Sequence, residues 1–163
     1  MQRHMLPYVL VGLVLAGCSM DSSTDALSPH YDMVATPFGG RCELAIGPAQ
    51  PIGPGVIRQE DVGECIVSRL GKSTFISDRV VNAVAGTQTV QNTLIAANGD
   101  NLYANGSGTN QLVAPGRVAF RADVTFQGGT GRFANASGGA TIVGEANFAT
   151  GRSEFTITGT IAY

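Results

Sequence analysis

Apolar and polar residues alternate with a period of two along the C-terminal part of the chain. Val118, Phe120, Ala122, Val124 and Phe126 share one parity; Ala119, Arg121, Asp123 and Thr125 share the other. The pattern returns at Phe155, Ile157, Gly159, Ile161 and Tyr163, set against Ser153, Thr156, Thr158 and Thr160, with Arg152 and Glu154 pointing away from Phe155. Period two with one apolar face predicts an antiparallel sheet with one wet side. Strands are expected at 41–46, 62–70, 73–83, 88–97, 100–109, 117–127, 139–148 and 152–163. Asn98-Gly99 marks a hairpin, because both residues tolerate positive φ. Pro115-Gly116, Gly128-Gly129-Thr130-Gly131 and Thr150-Gly151 mark further turns. Pro48, Pro51 and Pro54 make 47–55 a long loop, since proline cannot donate into a ladder. No stretch carries a helical apolar stripe. Eight strands in about 120 residues predict an all-β fold, an eight-stranded antiparallel β-barrel without exposed edges. A β-sandwich is the alternative.

The N-terminus has a different order. Arg3 and His4 form a short basic start, Leu6 to Ala16 an apolar core, and small residues lead to Cys18. That is the layout of a secretory signal peptide over 1–17. The apolar run is too short to cross a bilayer about 30 Å thick as a helix. Leu15-Ala16-Gly17-Cys18 resembles the lipobox of bacterial exported lipoproteins. The resemblance implies cleavage before Cys18 and lipid on its sulfur and new amino group, with the membrane as a partner. Ser19, where an aspartate would signal inner-membrane retention, implies an outer-membrane anchor facing the periplasm. Residues 18–38 then read as the attachment cysteine and a flexible tether, and 39–163 as the barrel domain. Asp21-Ser22-Ser23-Thr24-Asp25 lacks periodicity, and Pro29 and Pro37 break helices.

Charge and cysteines narrow the picture. The 163-residue chain has 10 Lys+Arg and 12 Asp+Glu. Removing 1–17 removes Arg3, so the mature charge is 9 − 12 = −3. No basic stripe is present, which disfavours nucleic acid. With Cys18 acylated, Cys42 and Cys65 remain, and an exported compartment permits a disulfide. Bridging them would close a loop worth about 3 kcal/mol; two buried free thiols are the alternative.

Gly128 to Gly138 resembles the late signature of the dirigent and allene oxide cyclase barrel superfamily, in which a glycine turn enters a short irregular segment and the next strand. The stretches 63–74, 96–103 and 155–161 resemble bacterial relatives of that group, in the expected order. The resemblance implies an eight-stranded barrel with an apolar interior. The activities of the plant members do not come with it, because none of their catalytic constellations is matched residue by residue, and fold is not function.

His4 lies in the signal and His30 in the tether, so 39–163 contains no histidine. That removes Ser-His-Asp and Cys-His catalysis, as well as histidine metal sites. No metal or cofactor is expected. Gly71-Lys72-Ser73 imitates the end of a phosphate loop, but Ile66 stands where the earlier glycine is required. Among the strand carboxylates, Glu64 is the weak catalytic candidate: it shares parity with Val62, Ile66 and Leu70 and would point inward if that face lines the barrel. Asp100 is expected to bond local backbone, and Arg132 to fix loop carbonyls. Phe120, Val124, Phe126, Ile142, Phe148, Phe155 and Ile157 are the expected lining of any cavity. The expectation is a lipid-anchored, non-enzymatic binding or structural module, taking a small apolar ligand or an envelope protein. A cyclase or isomerase using a buried carboxylate is the alternative. Oligomeric state is left open.

Overall fold

The computed structural model describes residues 34–163; the expected signal peptide, Cys18 and most of the expected tether lie outside them. Nine antiparallel strands follow: β1 Thr36–Ala45, β2 Gln50–Gly53, β3 Val56–Val67, β4 Gly71–Asn82, β5 Thr87–Ala96, β6 Asn101–Ala114, β7 Arg117–Gly129, β8 Ser137–Asn147 and β9 Arg152–Ala162. A single 3₁₀ turn, Gly131–Phe133, precedes β8. Each strand from β3 to β9 pairs with the next, β9 pairs with β1, and β1 pairs with β3, so the sheet closes on itself as an eight-stranded barrel.

Several expected boundaries move: β3 begins at Val56 and not at 62, and β6 runs to Ala114 and not 109. Thr36 and Pro37 are strand and not tether, because Pro37 faces only β9; pairing with β3 begins at Gly40, so the missing N–H leaves no ladder position open on that side. The 47–55 loop contains β2. This short strand takes up the edge of β3 that β1 leaves: Ala45 is opposite Val62, and Gln50 is opposite Arg58. β1 and β2 are therefore one barrel edge interrupted at 46–49.

Closing so small a barrel bends its strands sharply, and glycine marks the bends. At Gly108 a Cβ would sit 1.9 Å from the Arg121 carbonyl oxygen of the neighbouring strand, which no side chain tolerates.

The two halves of the interior differ. The end where β1 begins and β9 finishes is apolar. There Phe38 meets Phe126 edge-on at 5.0 Å, Cys42 and Cys65 form a disulfide, and Phe133 of the 3₁₀ turn is fully buried against Tyr163. The other half holds Gln59, Asp61, Ser77, Arg79, Gln88, Asn92 and Ser153, all buried. Ser153 thus belongs to the inner face with Phe155, as period two demands, and not to the polar face with the threonines.

Candidate functional site

The inner parity of β3 is carried by Gln59, Asp61, Cys65 and Val67. Val62, Glu64 and Ile66 face out; Glu64 is 68% exposed and pairs with Lys72 at 2.9 Å, and Ile66 is 74% exposed. The inward reading of Glu64 is corrected accordingly. It failed because this strand breaks the usual pattern at four positions, with Gln59 and Asp61 inside and Val62 and Ile66 outside. Leu70 is buried but gives no parity: it lies beyond Arg69, whose φ of 73° breaks the strand.

The carboxylate inside the barrel is Asp61. Its Oδ2 meets Arg79 Nη2 at 2.9 Å. Arg79 Nη2 also donates to Gln59 Oε1 at 2.7 Å. Gln59 Nε2 donates to the Gly47 carbonyl at 2.5 Å, and the Gly47 N–H donates to Asp61 Oδ1 at 3.1 Å. The interruption at 46–49 explains this circuit. Where β1 leaves its neighbour, two inward side chains of β3 satisfy both backbone groups of Gly47, meeting the demand that such groups be paired. Only glycine fits there, because a Cβ would meet the Glu60 carbonyl oxygen at 2.0 Å.

Burial raises the Asp61 carboxyl above its ordinary range, with Arg79 and the Gly47 N–H pulling the other way. Burial likewise lowers Arg79, opposed by Asp61. A carboxyl with a raised folded-state pKa binds its proton more readily folded than unfolded. Its ionisation costs stability at neutral pH, and that cost lifts as pH falls through the folded-state value toward the unfolded one. Relative to Asp61→Asn, wild-type stability should therefore rise on acidification across that window. Urea unfolding at a series of pH values measures it, and a difference that is flat or falls with acid contradicts the assignment.

Arg79, Gln88, Asn92, Phe120, Ile142 and Phe155 line a cavity of about 30 Å³. Arg79 Nε, Gln88 Oε1 and Asn92 Oδ1 have no protein partner among the described residues. One donor and two acceptors around such a space suit water. The space is small against the roughly 300–1,000 Å³ of ordinary ligand pockets. Val124, Phe126 and Ile157 are buried in the core beyond it. Phe148 is corrected: it is 47% exposed, because β8 ends at Asn147, whose Oδ1 accepts from the Ala149 N–H at 3.1 Å and turns the chain outward.

Arg132 Nη2 donates to the Arg69 carbonyl at 2.8 Å, tying the 3₁₀ turn to the β3–β4 turn. Asp100 Oδ2 accepts from Asn98 Nδ2 at 2.8 Å, and its carboxylate lies under Gly131, where a Cβ would strike Oδ1 at 1.9 Å.

The outer wall holds a second arrangement, an open trough of about 1140 Å³. Glu64, Glu43, Glu154 and Glu145 stand directly opposite one another across β3, β1, β9 and β8. Like charges so placed repel. Lys72 pairs with Glu64, Arg152 with Glu43, and Arg117 with Glu145 at 2.5 Å. These pairs are exposed and add little stability. Sequence reading did not find this row, because its four members become neighbours only through strand register. Among the described residues, no group of three or more His, Cys, Asp or Glu is arranged to hold a metal. No family model matches the chain, and neither a curated protein nor a solved structure matches it.

Proposed function

We propose that this chain is a lipid-anchored, non-enzymatic barrel on the periplasmic face of the outer membrane, binding or supporting another envelope component through its surface. The anchor rests on Leu15-Ala16-Gly17-Cys18 closing a signal-type segment. The surface role rests on one observation: the interior leaves about 30 Å³, so a ligand of ordinary size finds no room inside. The dirigent-like resemblance supports a barrel scaffold and nothing catalytic. A cyclase or isomerase would have to use Asp61 and not Glu64, and Asp61 is held by Arg79 and Gly47 beside a water-sized space. Expressed in a Gram-negative host, the protein should fractionate with outer membranes and carry acyl chains on Cys18, which Cys18→Ala should lack. Absence of acyl mass on Cys18 in the membrane-extracted wild type would remove the lipid from the proposal. Native mass spectrometry of the extracted protein should show the polypeptide and its acyl chains alone. A constant additional small-molecule mass would restore the interior binder.

A further inference from the structure

The two ends of the barrel differ in charge. At the end where β1 begins, the connections carry Arg69, Asp100 and Arg132. At the other end the four connections are 46–55, 83–86, 115–116 and 148–151, and none contains a charged residue. Large apolar side chains stand exposed there: Ile52, Val84 at 86%, Leu112 at 70% with Val113 beside it, and Phe148. Leu112 and Val113 project because β6 runs to Ala114, past the start of β5, whose Thr87 pairs with Thr109.

These tips are held together as a collar. Backbone bonds link 46–55 to 148–151 (Ile46 N–H to Gly151 O) and to 83–86 (Ala83 N–H to Gly55 O), link 148–151 to 115–116 (Phe148 N–H to Gly116 O), and tie 83–86 to the end of β6 (Asn110 N–H to Gly86 O), all at 2.8–2.9 Å. A fixed, uncharged apolar ring is an unusual surface for water to face, and such patches mark interaction sites. Arg117 and Arg152 begin β7 and β9 directly behind it, each exposed and ion-paired to a glutamate. Apolar tips with charged side chains of both signs one step behind match the layering of a bilayer, with hydrocarbon inside and zwitterionic headgroups above it.

We propose that this collar docks into the surface of a phospholipid bilayer and sets the barrel upright on the membrane. The proposal deepens the anchor reading and rests on it for the membrane's identity. Chain length permits it: β1 starts at the opposite end, but the 17 residues between Cys18 and Thr36 reach roughly 55–60 Å when extended. The 14 residues of β6 span about 45 Å, so the chain outside the barrel can pass its whole length.

The protein contains no tryptophan, so one introduced indole reports alone. Phe148→Trp places it on the collar. Tyr103→Trp places it near the other end of β6 from Leu112, about 30 Å away along the strand. Full-length protein carrying either change, in the Cys18 and Cys18→Ala backgrounds, is mixed with phosphatidylethanolamine–phosphatidylglycerol vesicles bearing brominated acyl chains. The collar indole should shift to the blue and be quenched, and the Tyr103→Trp indole should not. Leu112→Ser with Val113→Ser, both exposed and outside the core, should weaken partitioning by roughly tenfold or more. Equal quenching at both positions overturns the docking, because it shows tethering without orientation. A blue shift that grows with protein concentration in the absence of lipid also overturns it, assigning the collar to a second copy. A membrane-extracted protein whose mass shows no acyl chains on Cys18, with selective quenching intact, defeats the lipid anchor alone; selective quenching lost with the acyl chains present defeats the docking alone.

Discussion

Arg79→Met should destabilise the barrel by about 3–5 kcal/mol, which is the usual loss when one member of a buried ion pair is removed. The variant leaves Asp61 in the barrel interior without its counter-charge, with only the Gly47 N–H as partner, and leaves Gln59 Oε1 without its donor. A neutral companion change should reverse most of the damage. In Asp61→Asn with Arg79→Met, the side chain at 61 still accepts from Gly47 but brings no charge, so the double variant should be more stable than Arg79→Met alone. Replacing both charges of a buried pair is often close to neutral, because the desolvation of two ions disappears along with their attraction. Denaturant unfolding of the wild type, both single variants and the double variant measures the coupling. Acid gives an independent check: the loss in Arg79→Met should shrink as pH falls and Asp61 takes up a proton. If the double variant is as unstable as Arg79→Met, the loss lies in packing of the arginine stem and not in the unpaired charge.

The same pair shows where sequence reading reached its limit. β7 and β9 were legible because Phe120, Ala122, Val124 and Phe126, then Phe155, Ile157 and Ile161, each obey one parity with apolar residues inside. β3 obeys the same geometry with the chemistry mixed on both faces. Val62 and Ile66 sit outside on a wall shared with Glu64 and Lys72, and Gln59 and Asp61 sit inside, where Arg79 and the Gly47 backbone compensate them. No count of apolar residues along β3 could reveal this, since the compensating groups lie on β4 and in the interruption after β1. One local signal did exist: Cys65, if bridged, had to face inward, and Asp61 and Gln59 share its parity. The glutamate row and the apolar collar were hidden for a related reason. Their members are scattered through the sequence and are brought together by register and by the hairpins' common end.

Replacing both Cys42 and Cys65 by alanine should cost about 3 kcal/mol, the chain entropy released when the 23-residue separation is no longer closed in the unfolded state. For a domain of this size the loss corresponds to a fall in Tm of roughly 10 °C. The bridge lies where the barrel needs it. β3 and β4 pair at 12 positions, but β1 and β3 pair at only 6, Gly40↔Val67 to Ala45↔Val62, before β1 leaves the edge. Cys42 and Cys65 are directly opposite each other within that short seam, and both are buried. A reductant reaches them only through opening of the seam, so native protein treated with reductant should show no reactive thiol at either position until denaturant is also added. A loss below about 1 kcal/mol would mean that the β1–β9 ladder, with its 10 paired positions, already holds β1 in place and that the bridge adds little. The measurement also bears on location, because disulfides persist in exported compartments and not in a reducing cytosol. Produced without residues 1–17 in the cytosol, the chain should carry two free thiols at 42 and 65 and melt close to the double alanine variant. Produced with them, it should carry none and melt about 10 °C higher. Equal melting and equal thiol content of the two preparations would separate the bridge from export and leave the signal segment without this support.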